Sequence, residues 1–115
     1  MAVLASKAKR AFMPGAVGRK ILESRLQAYF IQKCRENGAF AVKTVVAGRR
    51  GFPDVLVIFH GSCFFVELKT DLRSPLSAPQ QRMAYELSCA GAMVGVLRGK
   101  AEVDAWLERK FEVPR

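Results

Sequence analysis

Between Arg19 and Asn37, Leu22, Leu26, Tyr29, Phe30 and Cys34 recur at steps of three to four and their multiples. That is the apolar stripe of an amphipathic helix laid on a core. Asn37-Gly38 stops it, because glycine takes the left-handed conformation at a helix end without strain. Glu23 falls in the expected first turn, where an acid is ordinary. The pattern then becomes strand-like over Phe40–Val45, Asp54–Phe59 and Cys63–Lys69. Gly61-Ser62 reads as the turn that folds the last two into an antiparallel hairpin. The unbroken apolar run at 55–59 predicts a strand covered on both faces. After a polar loop at 70–78, a helix begins near Ser77 or Ala78 with Pro79 in its first turn, and ends before Gly91. Met93–Leu97 is a fourth strand, Gly99 a turn, and Glu102–Lys110 a short helix carrying Val103, Trp106 and Leu107. The order α-β-β-β-α-β-α predicts a single α/β domain, a mixed sheet flanked by helices. Residues 1–17 lack firm periodicity and are basic, with a break at Pro14-Gly15. They are expected to be a mobile arm, and the domain proper to span 18–115.

Half of the 115 residues are hydrophobic, enough for a core that needs no disulfide or structural metal. Nineteen Lys and Arg against ten Asp and Glu give a net charge of +9. Such a surplus points to a polyanionic partner, and nucleic acid is the commonest for a basic domain. A membrane surface would call for a basic amphipathic helix or a polybasic stretch beside an apolar anchor. No apolar run is long enough to span a bilayer. Met1–Val17 lacks the apolar block and cleavage site of a signal peptide, so a cytoplasmic location is expected. Cys34, Cys63 and Cys89 are isolated and form no CxxC pair, so neither zinc nor a disulfide framework is expected. They read as small apolar residues in a reducing compartment. His60 reads as a turn residue, and Tyr29, Phe30 and Trp106 as core.

Chemistry concentrates in Gly51-Phe-Pro-Asp54 and Glu67-Leu-Lys69. Residues i and i+2 of a strand share a face, about 7 Å apart. Glu67 and Lys69 therefore point the same way, with Phe65, while Val66 and Leu68 point the other. In a hairpin the start of one strand lies beside the end of the next, which brings Asp54 to the same corner. Two adjacent carboxylates repel unless a cation joins them. Their oxygens suit Mg²⁺ or Mn²⁺. Such an ion can bind a phosphate oxygen and activate water, while Lys69 orients the water or offsets charge growing in the transition state. Gly51 permits close approach of backbone or DNA, and Pro53 stiffens the entry to the strand. Singly, Asp54 is a turn residue and Glu67 with Lys69 a solvated pair on a sheet. Jointly they carry the parts needed to hydrolyse a phosphodiester.

Pro-Asp, twelve residues, then Glu-x-Lys resembles the PD-(D/E)xK nuclease signature. More narrowly, the chain resembles the VRR-NUC family, the virus-type replication-repair nucleases. The residues that carry the resemblance are Glu23, Lys43, Gly51-Phe-Pro-Asp54, Glu67-Leu-Lys69, Ser77 with Gln80, and the Leu87–Gly91 helix end, over about residues 19–98. The resemblance implies a restriction-endonuclease-like core in which Asp54, Glu67 and the backbone carbonyl of Leu68 hold Mg²⁺ or Mn²⁺. It implies that Lys69 activates water, that Glu23 reaches the centre directly or through water, and that Gln80 supports it. Gln80 is preferred to the adjacent Gln81 by its seven-residue spacing to Leu87. Small stand-alone members, often phage-encoded, resemble Holliday-junction resolvases, which implies a homodimer acting on branched DNA without a nucleotide cofactor. The apolar residues of the first helix are either its interface or core. Lys43, Arg49, Arg50, Arg73 and Arg82, with Gly51 and Ser77, are the expected DNA contacts; phosphate contacts of this kind position DNA and do not read its sequence. The alternatives are a non-catalytic DNA-binding protein on the same scaffold and a basic module for RNA or a membrane surface.

Overall fold

A computed structural model describes residues 16–112, so the expected basic arm lies outside the described residues up to position 15. Helix α1 (Ala16–Glu36) is followed by strands β1 (Phe40–Lys43), β2 (Val55–Phe59) and β3 (Ser62–Lys69). Helix α2 (Ala78–Cys89), strand β4 (Met93–Arg98) and helix α3 (Gly99–Phe111) complete the chain. The strands lie in the order β1-β2-β3-β4. The first two pairings are antiparallel and β3–β4 is parallel. A parallel neighbour requires a crossover, and α2 supplies it. The α/β class and the element order are those expected.

One face of the sheet makes the core. Ala41, Val55, Val57, Phe64, Val66, Leu68 and Leu97 meet Phe30 and Cys34 of α1 and Val103, Trp106, Leu107 and Phe111 of α3. Trp106 is central, with its ring centre 5.2 Å from that of Phe30 and 5.4 Å from that of Phe64, both edge-on. The stripe on α1 is therefore core rather than interface: Phe30 and Cys34 are fully buried, Leu26 and Tyr29 pack against them, and Leu22 alone stands at the surface. Burial pushes the Cys34 thiol up to about 12, which keeps it neutral and inert. All three cysteines are free.

The second face is covered only in part, because α2 lies along β4. Register places Phe40, Ile58 and Cys63 side by side on this face, with Val42, Leu56 and Phe65 in the next row. Ile58 remains 41% exposed and Phe40 56%. The expected two-sided burial of residues 55–59 is thus corrected. The strand is apolar on both sides, yet the single crossover helix reaches only one edge of the sheet.

Local signals account for most boundaries. Gly38 at φ 86° ends α1, and the Ala39 N–H returns to the Cys34 carbonyl at 3.1 Å. In the hairpin, His60 (φ 49°) and Gly61 (φ 82°) form the two-residue turn and Ser62 pairs with Phe59. The turn thus sits one residue earlier than expected, and two successive positive φ angles suit the twist of the flanking strands. Helix α1 begins at Ala16 rather than Arg19, so Glu23 lies about two turns inside it and not in its first turn. Helix α3 begins at Gly99 rather than Glu102, because the Glu102 carboxylate accepts the Arg98 N–H at 2.7 Å and closes the helix start. Strand β1 stops at Lys43, two residues short of Val45. Among the described residues no helix is long and apolar enough to cross a membrane.

Candidate active site

The site lies where β2 begins and β3 ends. Carrying the Val55↔Val66 register one residue outward sets Asp54 opposite Glu67. With no ladder partner there, the Leu68 N–H donates to Asp54 Oδ2 at 2.9 Å. In a strand the C=O of a residue points to the same edge as its N–H, so the Leu68 carbonyl is directed to this side as well. The main chain at Asp54 is clamped from β1. Its carbonyl accepts the Thr44 N–H at 2.8 Å, and the Thr44 hydroxyl donates to the Pro53 carbonyl. Sequence reasoning missed Thr44, because nothing in a strand threonine signals a partner ten positions away.

Helix α2 completes the site. Ser77 caps it: the Gln80 N–H donates to Ser77 Oγ at 3.2 Å, and Gln80 Oε1 accepts the Ser77 N–H at 2.8 Å. This reciprocal box fixes the Gln80 side chain. Its Nε2 donates to Glu67 Oε2 at 3.0 Å, and its Oε1 also accepts from Lys69 Nζ at 3.2 Å. Lys69 Nζ stands 3.7 Å from Glu67 Oε2. Gln80 is thus the glutamine at the centre, while Gln81 turns away to the Leu76 carbonyl. Gly51 (φ 77°) presses on the start of α2. A Cβ there would lie 2.4 Å from the Pro79 carbonyl carbon and 2.5 Å from the Gln80 nitrogen. The close approach that sequence left open between backbone and DNA is therefore made by backbone. Phe52 meets Phe65 edge-on at 5.3 Å and holds this loop over the sheet.

Glu67 is 7% exposed. Burial, then the charge of Asp54, push its carboxyl up to about 8, against the pull of Lys69. Burial raises Asp54 also, opposed by the Leu68 N–H, by Glu67 and by the charges of Lys69 and Lys43. Both carboxyls are thus harder to ionise than in water, Glu67 the more so because the Asp54 charge stands opposite it. An acid pair with one member buried and the other half-buried is a strong place for a cation to replace a proton. The donors are hard oxygens, which suit Mg²⁺ or Mn²⁺. Glu23 is half-buried, and its charge raises the Glu67 carboxyl further. Among the described residues, however, no three Asp, Glu, His or Cys side chains converge as one metal cluster.

The basic residues divide. Lys43, exposed at the end of β1, acts electrostatically on Asp54. Arg49 donates to Glu86 of α2 at 2.6 Å. Arg50 and Arg82 line the same groove between the Gly48–Gly51 loop and α2. Arg73 is exposed in the loop before α2, and its N–H is held by Asp71 at 2.9 Å. Arg98, which sequence analysis did not single out, donates to the Ser74 carbonyl at 2.9 Å and anchors that loop. Ser77 is occupied as the helix cap.

No family model matches the sequence, and no curated protein matches it. Solved structures do. One, described as a VRR_NUC domain, is 33% identical with a TM-score of 0.69, over 75% of this chain and 94% of that one. Another, described as a VRR_NUC domain protein, is 16% identical with a TM-score of 0.60, over 75% of this chain and 84% of that one, a likeness of fold. At 33% identity over 75% of its length and nearly all of the first of these domains, the chain belongs to the VRR-NUC family of nuclease-type domains.

Proposed function

We propose that the chain is a Mg²⁺- or Mn²⁺-dependent endonuclease that hydrolyses phosphodiester bonds in branched DNA, in the manner of a Holliday-junction resolvase. The carrying observation is the pair of half-buried Asp54 and buried Glu67, joined to Lys69 through Gln80, in a chain of a nuclease-type family. Asp54, Glu67 and the Leu68 carbonyl would hold the cation, with Glu23 acting through water. When bound, the ion supplies polarisation of a phosphate oxygen and a more acidic water. Lys69 orients the attacking water and offsets the charge that grows on the phosphate oxygens. Gln80 keeps the ammonium aimed, since its Oε1 faces Lys69 while its Nε2 faces Glu67. Lys43, Arg49, Arg50, Arg73 and Arg82 meet phosphates on either side, consistent with the net charge of +9. Two copies related by a two-fold axis would match the symmetry of a four-way junction. The face around Phe40 and Ile58 is an exposed apolar surface that could make that contact.

The test is cleavage of a labelled four-way junction beside a flap and a plain duplex, by wild type and Glu67→Gln, with Mg²⁺, Mn²⁺ or EDTA. Paired nicks in the junction by wild type alone, lost in EDTA, are expected. Cleavage of flap or duplex instead keeps the nuclease and discards the resolvase. Binding without metal-dependent cleavage of any substrate replaces the enzyme with a DNA-binding protein on the same scaffold.

A further inference from the structure

A groove of about 680 Å³ runs between α1 and the start of α3 and ends at Thr70, the residue after Lys69. Its floor is apolar, formed by Leu22, Leu26 and Tyr29, and its rim carries Arg25 and Lys100. That size is within the range of small-molecule sites and holds a nucleotide. The Lys100 ammonium is set in advance. It lies 2.8 Å from Asp104 Oδ2 and 4.9 Å above the centre of the Tyr29 ring, whose hydroxyl donates to Asp104 Oδ1 at 2.6 Å. An apolar floor under a cationic rim complements a flat base attached to a phosphate. A base stacked in a duplex cannot enter it; an unpaired base can.

Resting on the reading that DNA occupies the adjacent centre, we infer that this groove receives an unpaired nucleotide of the strand running past Lys69, and so favours branched or frayed DNA over continuous duplex. Leu22 and Leu26 supply dispersion area, Arg25 holds the attached phosphate, and Lys100 joins it by exchanging Asp104 for phosphate. The experiment is equilibrium binding of the full chain in EDTA, with 2-aminopurine in the unpaired arm of a fork or at the matching position of a duplex. Wild type is expected to bind the fork about tenfold more tightly, with a change in fluorescence as the base is enclosed. Leu22→Gln, a neutral change at a surface position, should erase that preference and leave duplex affinity within about twofold. Lys100→Gln, with a floor left intact, should keep the fluorescence change and lose about threefold in fork affinity. A fork preference retained in Leu22→Gln, or absent from wild type, overturns the inference. So does a change of oligomeric mass in Leu22→Gln with unaltered DNA binding, which would give the groove to a second copy. Because nothing is cleaved in EDTA, fork selection by a chain that cuts no substrate would sink the nuclease and keep the groove. Junction cleavage unaltered by Leu22→Gln would do the reverse.

Discussion

Glu67 shows how much one residue's surroundings decide. In the unfolded chain its carboxyl ionises near the ordinary value of 4.5, whereas in the fold it stays protonated up to about 8. Between those values the folded state binds more protons than the unfolded one, so the stability of the metal-free protein falls as pH rises through that window. Asp54, shifted in the same direction, adds to the effect. Thermal melts in EDTA should therefore show a melting temperature several degrees lower at pH 8.5 than at pH 5.5, and Glu67→Gln should flatten the curve. Adding Mg²⁺ or Mn²⁺ should raise the melting temperature more at pH 8.5 than at pH 6, because an ion bound at the proposed centre must displace the proton that the raised Glu67 carboxyl keeps at pH 6. An equal gain at both values would mean that the cation binds elsewhere. Glu67→Gln keeps the side-chain volume and loses a proposed metal ligand, so cleavage should fall by at least about a thousandfold while the fold persists.

At the level of elements, the centre depends on how the Gly51 loop and the start of α2 are pressed together. Gly51→Ala puts a methyl group against the Pro79 and Gln80 backbone at a positive φ. A cost of about 1–3 kcal/mol is expected, which lowers the melting temperature by several degrees and reduces cleavage with it. Ser77→Ala removes the cap, a loss of about 1 kcal/mol. The main-chain N–H at position 77 survives the change and still holds Gln80 Oε1, so cleavage should fall by no more than the stability loss explains, measured at a temperature where both proteins are folded. Strand alternation and hairpin geometry were enough to place Asp54, Glu67 and Lys69 together from sequence, since all three depend on local register. Ser77 and Gln80 cap α2 reciprocally in the fold, but from sequence they were legible only through the family resemblance. The Arg49–Glu86 pair was not, because its members come from a loop and a helix 37 residues apart. Nor was the open face of β2, because an apolar run does not reveal where a crossover helix will lie.

Assembly is where the molecule as a whole imposes a limit. Copies carrying a net charge of +9 repel, and they can associate only through a surface that is apolar and away from the DNA contacts. Phe40 and Ile58, paired across β1 and β2 and both exposed, mark such a surface, with Val42, Leu56 and Cys63 half-buried around them. A two-fold contact through this face would bury it and leave both centres free, since each centre lies at the opposite end of the same strands. Light scattering of wild type should give about twice the chain mass of 12.7 kDa at micromolar concentration. Phe40→Glu combined with Ile58→Glu should give the mass of one chain, with a melting temperature that no longer depends on protein concentration. Because both side chains are exposed in the single chain, the variant should still fold and bind the cation. Its cleavage should change in kind: isolated nicks in one arm of a four-way junction, and no paired cuts within the lifetime of one complex. A wild-type mass of one chain would remove the resolvase geometry and leave a nuclease with a single centre.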